Sequence, residues 1–245
     1  MDFEGKTALI TGSGAIGGLG HATAKILAAQ GANVVITGLD SQRGAQVVDE
    51  VVSNGGNARF VEADLADVDS VQRLAEEAGP VDILINNAGL VTFGPTVDQD
   101  VETYDAAFAV NVRAPFLLTA LLAPKMAANG GGSIVNVTST AAGLGMPGMS
   151  VYGATKAALE SLTRAWAAEF APSKVRINAV SPGPMLTSKM IAMMGPDGGG
   201  MGQTTALSRT ADPAEVAEVV AFIAGDRASY VTGATVAADG GRTAI

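Results

Sequence analysis

Short runs of β-branched and aliphatic residues alternate with longer helical patterns along the whole chain. Such runs, apolar throughout and bounded by glycine or polar residues, predict strands that are buried on both faces. The predicted strands are residues 7–11, 33–37, 58–63, 81–85, 133–138, 175–180 and 234–237. The predicted helices are residues 20–30, 41–52, 67–78, 101–126, 151–170 and 213–224.

The regular alternation of strand and helix predicts an α/β fold. Its architecture would be a doubly wound, Rossmann-type parallel sheet of about seven strands with helices on both faces. The chain of 245 residues shows no internal repeat and no Pro- or Ser-rich linker, so residues 1–245 are expected to form a single domain. The last predicted helix has clear start signals, with Asp212 as cap, Pro213 as first helical residue and Glu215 at the capping-box position.

Composition and charge exclude several classes of function. A net charge of −9 without a basic cluster argues against nucleic acid and anionic membranes as partners. The chain has no cysteine and one histidine, so no metal site is expected. The most apolar region, residues 106–124, contains Asn111, Arg113 and Pro115 and is not expected to span a membrane. The amino terminus lacks a signal-peptide pattern, and a cytoplasmic location is predicted.

A glycine-rich segment, residues 11–20 (TGSGAIGGLG), follows the first predicted strand and opens the first helix. Glycines at this place let the backbone turn tightly and approach a pyrophosphate, which the helix amino terminus then binds. The alternative is a plain glycine-rich turn, which the strand–helix context makes less favoured. After the second predicted strand comes Asp40, which could hold ribose hydroxyls and repel a 2′-phosphate, or could simply cap the next helix. Arg43, one helical turn later, could instead meet a phosphate.

Two later motifs point to catalysis. The segment 86–89 (NNAG) follows the fourth predicted strand, at the sheet edge where open α/β folds bind ligands. In the segment 152–156 (YGATK), the four-residue spacing puts Tyr152 and Lys156 on one helix face. An ammonium group beside the phenol would lower the pKa of Tyr152 and make it a general acid/base. Ser139, just after the fifth predicted strand, could hold a substrate oxygen beside it.

Together these motifs resemble the short-chain dehydrogenase/reductase family. The similarity covers nearly the whole chain and continues through the segments 181–183 (SPG), 231–233 (VTG) and 239–241 (DGG). Each motif alone is weak, but their joint order and spacing are specific. The resemblance implies a seven-stranded doubly wound sheet, NAD(P) binding, and hydride transfer between the nicotinamide and a carbonyl/alcohol pair.

The resemblance also implies roles for single residues. Tyr152 would be the general acid/base, Lys156 would hold the nicotinamide ribose and lower the tyrosine pKa, and Ser139 would anchor the substrate oxygen. Asn111 would help to hold a water that links the lysine to solvent. Besides Tyr152 and Lys156, the expected cofactor contacts are Gly12, Ser13, Gly18, Leu19, Gly20, Asp40, Asp64, Leu65, Asn87, Ala88, Gly89, Pro182, Gly183 and Thr187.

The chain departs from the family pattern in two places. Five residues separate Gly12 from Gly18, where the family has three; we favour the register Gly12, Gly18, Gly20 over a formal GxGxxG that ends at Gly17. His21, which follows this loop, is expected to face solvent. Neither Leu39 nor Gly17 is basic, although NADP-using relatives often carry a base there. NAD-using relatives often carry Asp at the position of Gly38, and that is missing too, so Asp40 and the absence of basic residues are what favours NAD(H) over NADP(H).

The predicted reaction is hydride transfer to or from a small, apolar ketone or secondary alcohol. Methionines cluster where the resemblance puts substrate loops, and the expected substrate contacts are Met146, Met149, Met185 and Met190. Residues 184–210 would form a substrate loop or lid. The first alternative substrate is a 3-oxoacyl thioester; a non-catalytic nucleotide-sensing protein and an epimerase or dehydratase are more remote. Small residues in the helix at 151–170 and the family resemblance predict a homo-oligomer, a dimer or a tetramer.

Overall fold

A seven-stranded parallel sheet forms the centre of the protein in a computed structural model that describes residues 1–245. The strands are β1 Thr7–Ile10, β2 Asn33–Gly38, β3 Asn57–Glu62, β4 Ile83–Asn86, β5 Gly132–Val137, β6 Val175–Pro182 and β7 Thr235–Ala238. Their order is β3-β2-β1-β4-β5-β6-β7, and every neighbouring pair is parallel. The predicted fold class is confirmed. The strand order reverses between β1 and β4, and this reversal opens a crevice at the carboxyl ends of the strands.

Eight α-helices cover the two faces of the sheet. They are α1 Leu19–Ala29, α2 Ser41–Ser53, α3 Val68–Glu77, α4 Val101–Phe108, α5 Ala114–Ala128, α6 Ser150–Phe170, α7 Ser188–Met194 and α8 Pro213–Ala224. The start of α1, with Gly18 as its cap, confirms the favoured register of the glycine loop. The capping box of Asp212 and Glu215 is present at α8. Helix α7 was not predicted, because a short helix in a glycine-rich context leaves no clear periodic pattern.

A π-type turn joins α4 to α5 into one helical stretch, Val101–Ala128, of 28 residues. By length and composition alone this stretch is apolar enough to cross a membrane, and half of its most apolar window is buried inside the protein. A core helix of a soluble protein has the same properties. The predicted helix at residues 101–126 is confirmed, and it continues through Asn111, Arg113 and Pro115.

The core has two apolar layers, one on each face of the sheet. Neighbouring residues of β1 divide between them: Ile10 packs with Leu27 and Val220, whereas Leu9 packs with Leu118 of α5. Both β1 side chains are fully buried, which explains why this strand is apolar without alternation. Burying one such side chain contributes roughly 1.5–3 kcal/mol, so the two layers hold the sheet edge in place for the site above it.

Candidate active site

A cleft of about 570 Å³ lies at the carboxyl edge of the sheet, over the reversal between β1 and β4. Of the predicted cofactor contacts, nine line it: Gly12, Gly18, Asp40, Asp64, Leu65, Asn87, Ala88, Gly89 and Thr187. The sequence reasoning missed further lining residues on the α5 side and on α7, namely Leu90, Val110, Ser188 and Lys189. The structure therefore assembles, from segments far apart in the chain, the edge at which such folds bind ligands.

Close backbone contacts fix the glycine loop. Gly12 has φ +66°, and a Cβ there would lie 2.8 Å from the Cα of Ala88. A Cβ on Gly20 would lie 2.5 Å from Nδ2 of Asn87, so both positions admit only glycine without rearrangement. No side chain caps the amino terminus of α1 at Gly18. Its first N–H groups are thus available to an anion, and the helix dipole favours negative charge there.

Thr11 ties the NNAG segment to the glycine loop. Its hydroxyl accepts hydrogen bonds from the backbone N–H groups of Asn87 and Ala88, each at 3.0 Å. The Asn87 side chain returns a bond, with Nδ2 donating to the Thr11 carbonyl at 2.8 Å. Sequence reasoning gave Thr11 no role, because its partners lie 76 and 77 residues away. These bonds hold the two walls of the cleft at a fixed separation.

Some predicted cofactor residues lie behind the cleft. Ser13 is fully buried; its hydroxyl donates to the Ile10 carbonyl and accepts from the Thr37 amide. Leu19 is also buried, in the first turn of α1. Neither residue lines the cleft, and the Ser13 amide already donates to the Thr37 carbonyl at 3.1 Å. Gly183 is closely covered, since a Cβ there would lie 2.7 Å from the Asp239 backbone.

The end of the cleft beyond β2 carries both an acid and a base. Asp40 caps α2 through Oδ1, which accepts from the amides of Gln42 and Arg43. The second carboxylate oxygen is not used by the cap, so capping and ligand binding are compatible. The Arg43 side chain is exposed, and both residues line the cleft. Asp64 makes a similar local turn, with Oδ1 accepting from the Ala66 amide at 2.8 Å.

Ser139, Tyr152 and Lys156 come together beside the cleft. The Ser139 side chain lies near enough to the Tyr152 phenol to favour its charged form. The Lys156 ammonium lies 5.7 Å from the centroid of the Tyr152 ring and donates to the Val137 carbonyl at 2.9 Å. Gly89 lies directly beside this ammonium group, since a Cβ on Gly89 would lie 3.4 Å from the Lys156 Nζ. The arrangement places a phenol, a hydroxyl and a cation at one point of the sheet edge.

The pKa values in this cluster differ in part from the expectation. Burial lowers the pKa of Lys156 to about 8. Burial also raises the pKa of Tyr152 above its ordinary value, and the nearby Ser139 side chain only partly opposes this. The expected lowering of the tyrosine pKa is therefore wrong, because removal from water disfavours the phenolate more than its surroundings stabilise it. At neutral pH the Tyr152 hydroxyl keeps its proton.

Asn111 lies in the π-type turn and is fully buried. Its Oδ1 accepts from the Leu90 amide at 2.7 Å, while Nδ2 donates to the Leu90 carbonyl and to the Thr155 hydroxyl, each at 2.9 Å. The side chain thus joins the loop after β4 to the helix turn that carries Lys156. Turns of this type recur at functional sites, since they re-aim one side chain within a helix.

The segment after β6 closes the other side of the cleft. Pro182 ends β6, and Thr187 caps α7, its hydroxyl accepting from the Met190 amide at 3.1 Å. The next two residues of this helix, Ser188 and Lys189, line the cleft. The predicted cofactor contact at Thr187 therefore lies at the start of a helix whose first turn faces the same space.

The four methionines predicted to contact substrate have different surroundings. Met146 accepts a weak hydrogen bond from the Arg242 guanidinium at 3.9 Å, and Met149 lies at the start of α6. Met190 lies near Gly198, whereas Met185 packs against a core layer. Of the four, Met149 is closest along the chain to Tyr152. Met185 contacts core residues, as a residue with a packing role would.

His21 does not face solvent, so that expectation is wrong. The residue is 7 % exposed and lies between the glycine loop and α2. Its ring contacts Glu50, which is 29 residues away and gave no signal in the sequence.

Comparisons with known proteins agree with this geometry. The family model described as enoyl-(acyl carrier protein) reductase matches residues 14–243. Cyclopentanol dehydrogenase of Comamonas sp. is 37 % identical, over 98 % of this chain and 97 % of that protein. A solved short-chain dehydrogenase/reductase family protein is 51 % identical, covers 100 % of both chains and superposes with a TM-score of 0.94. A blue fluorescent protein from a metagenomic library, solved with NADPH, is 34 % identical, covers 99 % of both chains and has a TM-score of 0.91.

These matches span the whole chain and include proteins well above 30 % identity. The chain belongs to the short-chain dehydrogenase/reductase family, as its fold and its Ser139, Tyr152 and Lys156 arrangement indicate. Its relatives are oxidoreductases, and members of the family bind NAD(P).

Proposed function

We propose that this protein transfers a hydride between NAD(P) and a small, apolar ketone or secondary alcohol, with Tyr152 as the general acid/base. The observation that carries the proposal is the buried Lys156 ammonium 5.7 Å from the centroid of the Tyr152 ring, with the Ser139 side chain near the same phenol. A nucleotide-sensing protein would have no use for a phenol, a hydroxyl and a cation brought together in this way.

The residues of the cleft fit a dinucleotide. Gly12 and Gly20 let the backbone approach closely, and the uncapped start of α1 at Gly18 suits a pyrophosphate. Asp40 and Asp64 would receive the adenosine, and Thr187 would hold the carboxamide end. When bound, the nicotinamide supplies or accepts the hydride.

The residues beside the cleft would handle the proton. The Ser139 hydroxyl would hold the substrate oxygen, and Tyr152 would donate its proton to that oxygen during carbonyl reduction or accept it during alcohol oxidation. The Lys156 ammonium would favour the phenolate that is left after proton donation. Because burial raises the pKa of Tyr152, the protonated phenol that carbonyl reduction needs is the form present at neutral pH.

We favour NAD(H) over NADP(H), since the free carboxylate oxygen of Asp40 would repel a 2′-phosphate. Arg43, which also lines the cleft, is the one feature that opposes this preference. A 3-oxoacyl thioester stays the alternative substrate, supported by the similarity to a 3-oxoacyl-[acyl-carrier-protein] reductase of Thermotoga maritima, which is 35 % identical over 98 % of both chains.

A homo-oligomer, a dimer or a tetramer, stays a prediction, as does a cytoplasmic location. The exposed apolar side chains of Val97, Val101, Tyr104 and Phe116 around α4 and α5 support assembly. Sedimentation of the purified protein would measure it, and a monomer at micromolar concentration would contradict it.

The substitution Tyr152→Phe tests the proposed chemistry. Turnover should fall by roughly 10²-fold or more, because general acid/base catalysis contributes on this order. Dinucleotide binding, measured by titration calorimetry, should stay within a few-fold, since only a hydroxyl is removed. The matched control is Tyr230→Phe, because Tyr230 is fully exposed and distant in the chain. Unchanged turnover in Tyr152→Phe would remove Tyr152 from the mechanism.

A further inference from the structure

The only histidine of the chain bridges two polar groups with its two ring nitrogens. Nδ1 of His21 lies 3.2 Å from the backbone nitrogen of Gly17, whose N–H donates to it. Nε2 lies 2.8 Å from Oε2 of Glu50. Because an N–H donates to Nδ1, that nitrogen carries no proton, and Nε2 is the donor to the carboxylate. The bond to Gly17 therefore depends on this one tautomer.

Glu50 holds the ring from the side of α2. Its other oxygen, Oε1, is paired with the Lys25 ammonium. The hydrogen bonds from Lys25 and His21 keep the pKa of Glu50 below its ordinary value. A charged carboxylate fixed in this way selects the tautomer and the orientation of the imidazole, as carboxylate partners do for histidine elsewhere.

Gly17 is held from its other side by helix α7. Its carbonyl accepts from the Ser188 amide at 3.0 Å, and a Cβ at this position would lie 1.9 Å from the Ser188 hydroxyl oxygen. Gly17 and Ser188 both line the cleft. The residue thus lies in the lengthened part of the glycine loop, between His21 on one side and the segment after β6 on the other.

We propose that His21 is a positioning residue, whose Nδ1 fixes the lengthened glycine loop at Gly17 for the dinucleotide. It acts through the backbone and contacts neither substrate nor reacting atoms. The inference rests on the proposed function, since it needs a dinucleotide in the cleft. Ordering a loop in advance removes part of the entropic cost of binding, so its loss should weaken dinucleotide binding roughly 5- to 10-fold.

Two substitutions separate this role from a structural one. In His21→Asn the side-chain amide reaches the place of Nδ1 and can accept from Gly17, but it does not reach Glu50. In His21→Gln the amide reaches the place of Nε2 and keeps Glu50, but the acceptor at Nδ1 is lost. If His21 positions Gly17, the His21→Asn variant should retain most of the affinity for NADH and the His21→Gln variant should lose it. A role confined to linking α1 with α2 predicts the reverse order.

For each variant, calorimetry would give the Kd of NADH, and thermal unfolding would give the stability. Steady-state kinetics with a ketone that the native protein reduces would give KM and kcat. For His21→Gln we expect the Kd and the dinucleotide KM to rise roughly 5- to 10-fold, with a smaller change in kcat. Equal Kd values for both variants and the native protein, or the reverse order, would overturn the inference. If the native protein itself binds neither NADH nor NADPH, it is the proposed function that fails.

Discussion

The glycine loop, residues 12–20, and the segment 195–202 are both rich in glycine, but their glycines serve different purposes. In the loop, Gly12 and Gly17 have positive φ and also meet neighbouring atoms so closely that no Cβ fits. In the second segment, Gly200 has φ +74° with nothing within 4 Å of an added Cβ. Glycine is thus required for close approach at Gly12, and for backbone conformation alone at Gly200, although Gly202 of the second segment is again closely packed against the Arg209 and Thr210 backbone. The first region lines the cleft, and the second belongs to the segment 184–210 that we predict to be a substrate lid.

The largest predicted effect concerns the site of Ser139, Tyr152 and Lys156. There the pH dependence of kcat/KM should differ between alcohol oxidation and carbonyl reduction. Because burial raises the pKa of Tyr152, the phenol keeps its proton at neutral pH and becomes the base only as pH rises. Oxidation kcat/KM should increase on the order of tenfold per pH unit up to about pH 8 and less steeply above it, where Lys156 loses the charge that favours the phenolate. Reduction kcat/KM should stay level and then fall above about pH 8, where Lys156 loses its charge. The same pH profile in both directions would contradict these assignments.

Paired glycine substitutions test the comparison itself. Gly12→Ala adds backbone strain and a contact of 2.8 Å with Ala88, so the NADH Kd should rise roughly tenfold or more. Gly200→Ala has the strain without the contact and should leave the Kd within about twofold, at a stability cost of about 1–2 kcal/mol. Calorimetry and thermal unfolding would measure both. Equal losses of affinity would show that the two regions do not differ in this way.

Asp40→Ala tests the charge at the adenosine end of the loop region. We expect the ratio of kcat/KM for NAD to that for NADP to fall roughly 5- to 10-fold, as repulsion of the 2′-phosphate is removed. Arg43→Ala is the matched control, because it removes the opposite charge from the same helix start and should raise the ratio. The assignment of NAD(H) would be refuted if Asp40→Ala left the ratio of kcat/KM values unchanged, or if the native protein preferred NADP.

The smallest effect is expected on the substrate side. Met149→Ala should raise the KM of an apolar ketone roughly two- to threefold and leave the dinucleotide KM unchanged, because a flexible pocket loses one contact. Met185→Ala is the contrast, since Met185 packs against a core layer and its loss should lower the melting temperature instead. If Met149→Ala changes stability but not substrate KM, Met149 is a packing residue as well.

The sequence was sufficient for the sheet and most helices, because their signals are local. Capping residues and apolar runs predict α8 and β1 directly, and four-residue spacing places Tyr152 beside Lys156. The predictions that were wrong concern residues whose surroundings come from parts of the chain that are distant in sequence. The raised pKa of Tyr152 comes from burial that only the assembled fold creates, and the buried His21 depends on Glu50 of α2. Asp40 illustrates a third case, since one carboxylate both caps a helix and lines the cleft.

The central claim is hydride transfer at the cleft beside Tyr152, and isotope transfer tests it most directly. The purified protein would be incubated with NADH deuterated at the transferring position of the nicotinamide and with a panel of small ketones, and the products would be analysed by mass spectrometry. We predict that deuterium appears on the carbinol carbon of at least one product alcohol, and that Tyr152→Phe abolishes this transfer. If NADH binds but no ketone of the panel gains deuterium, and the matching alcohols do not reduce NAD, the account is contradicted.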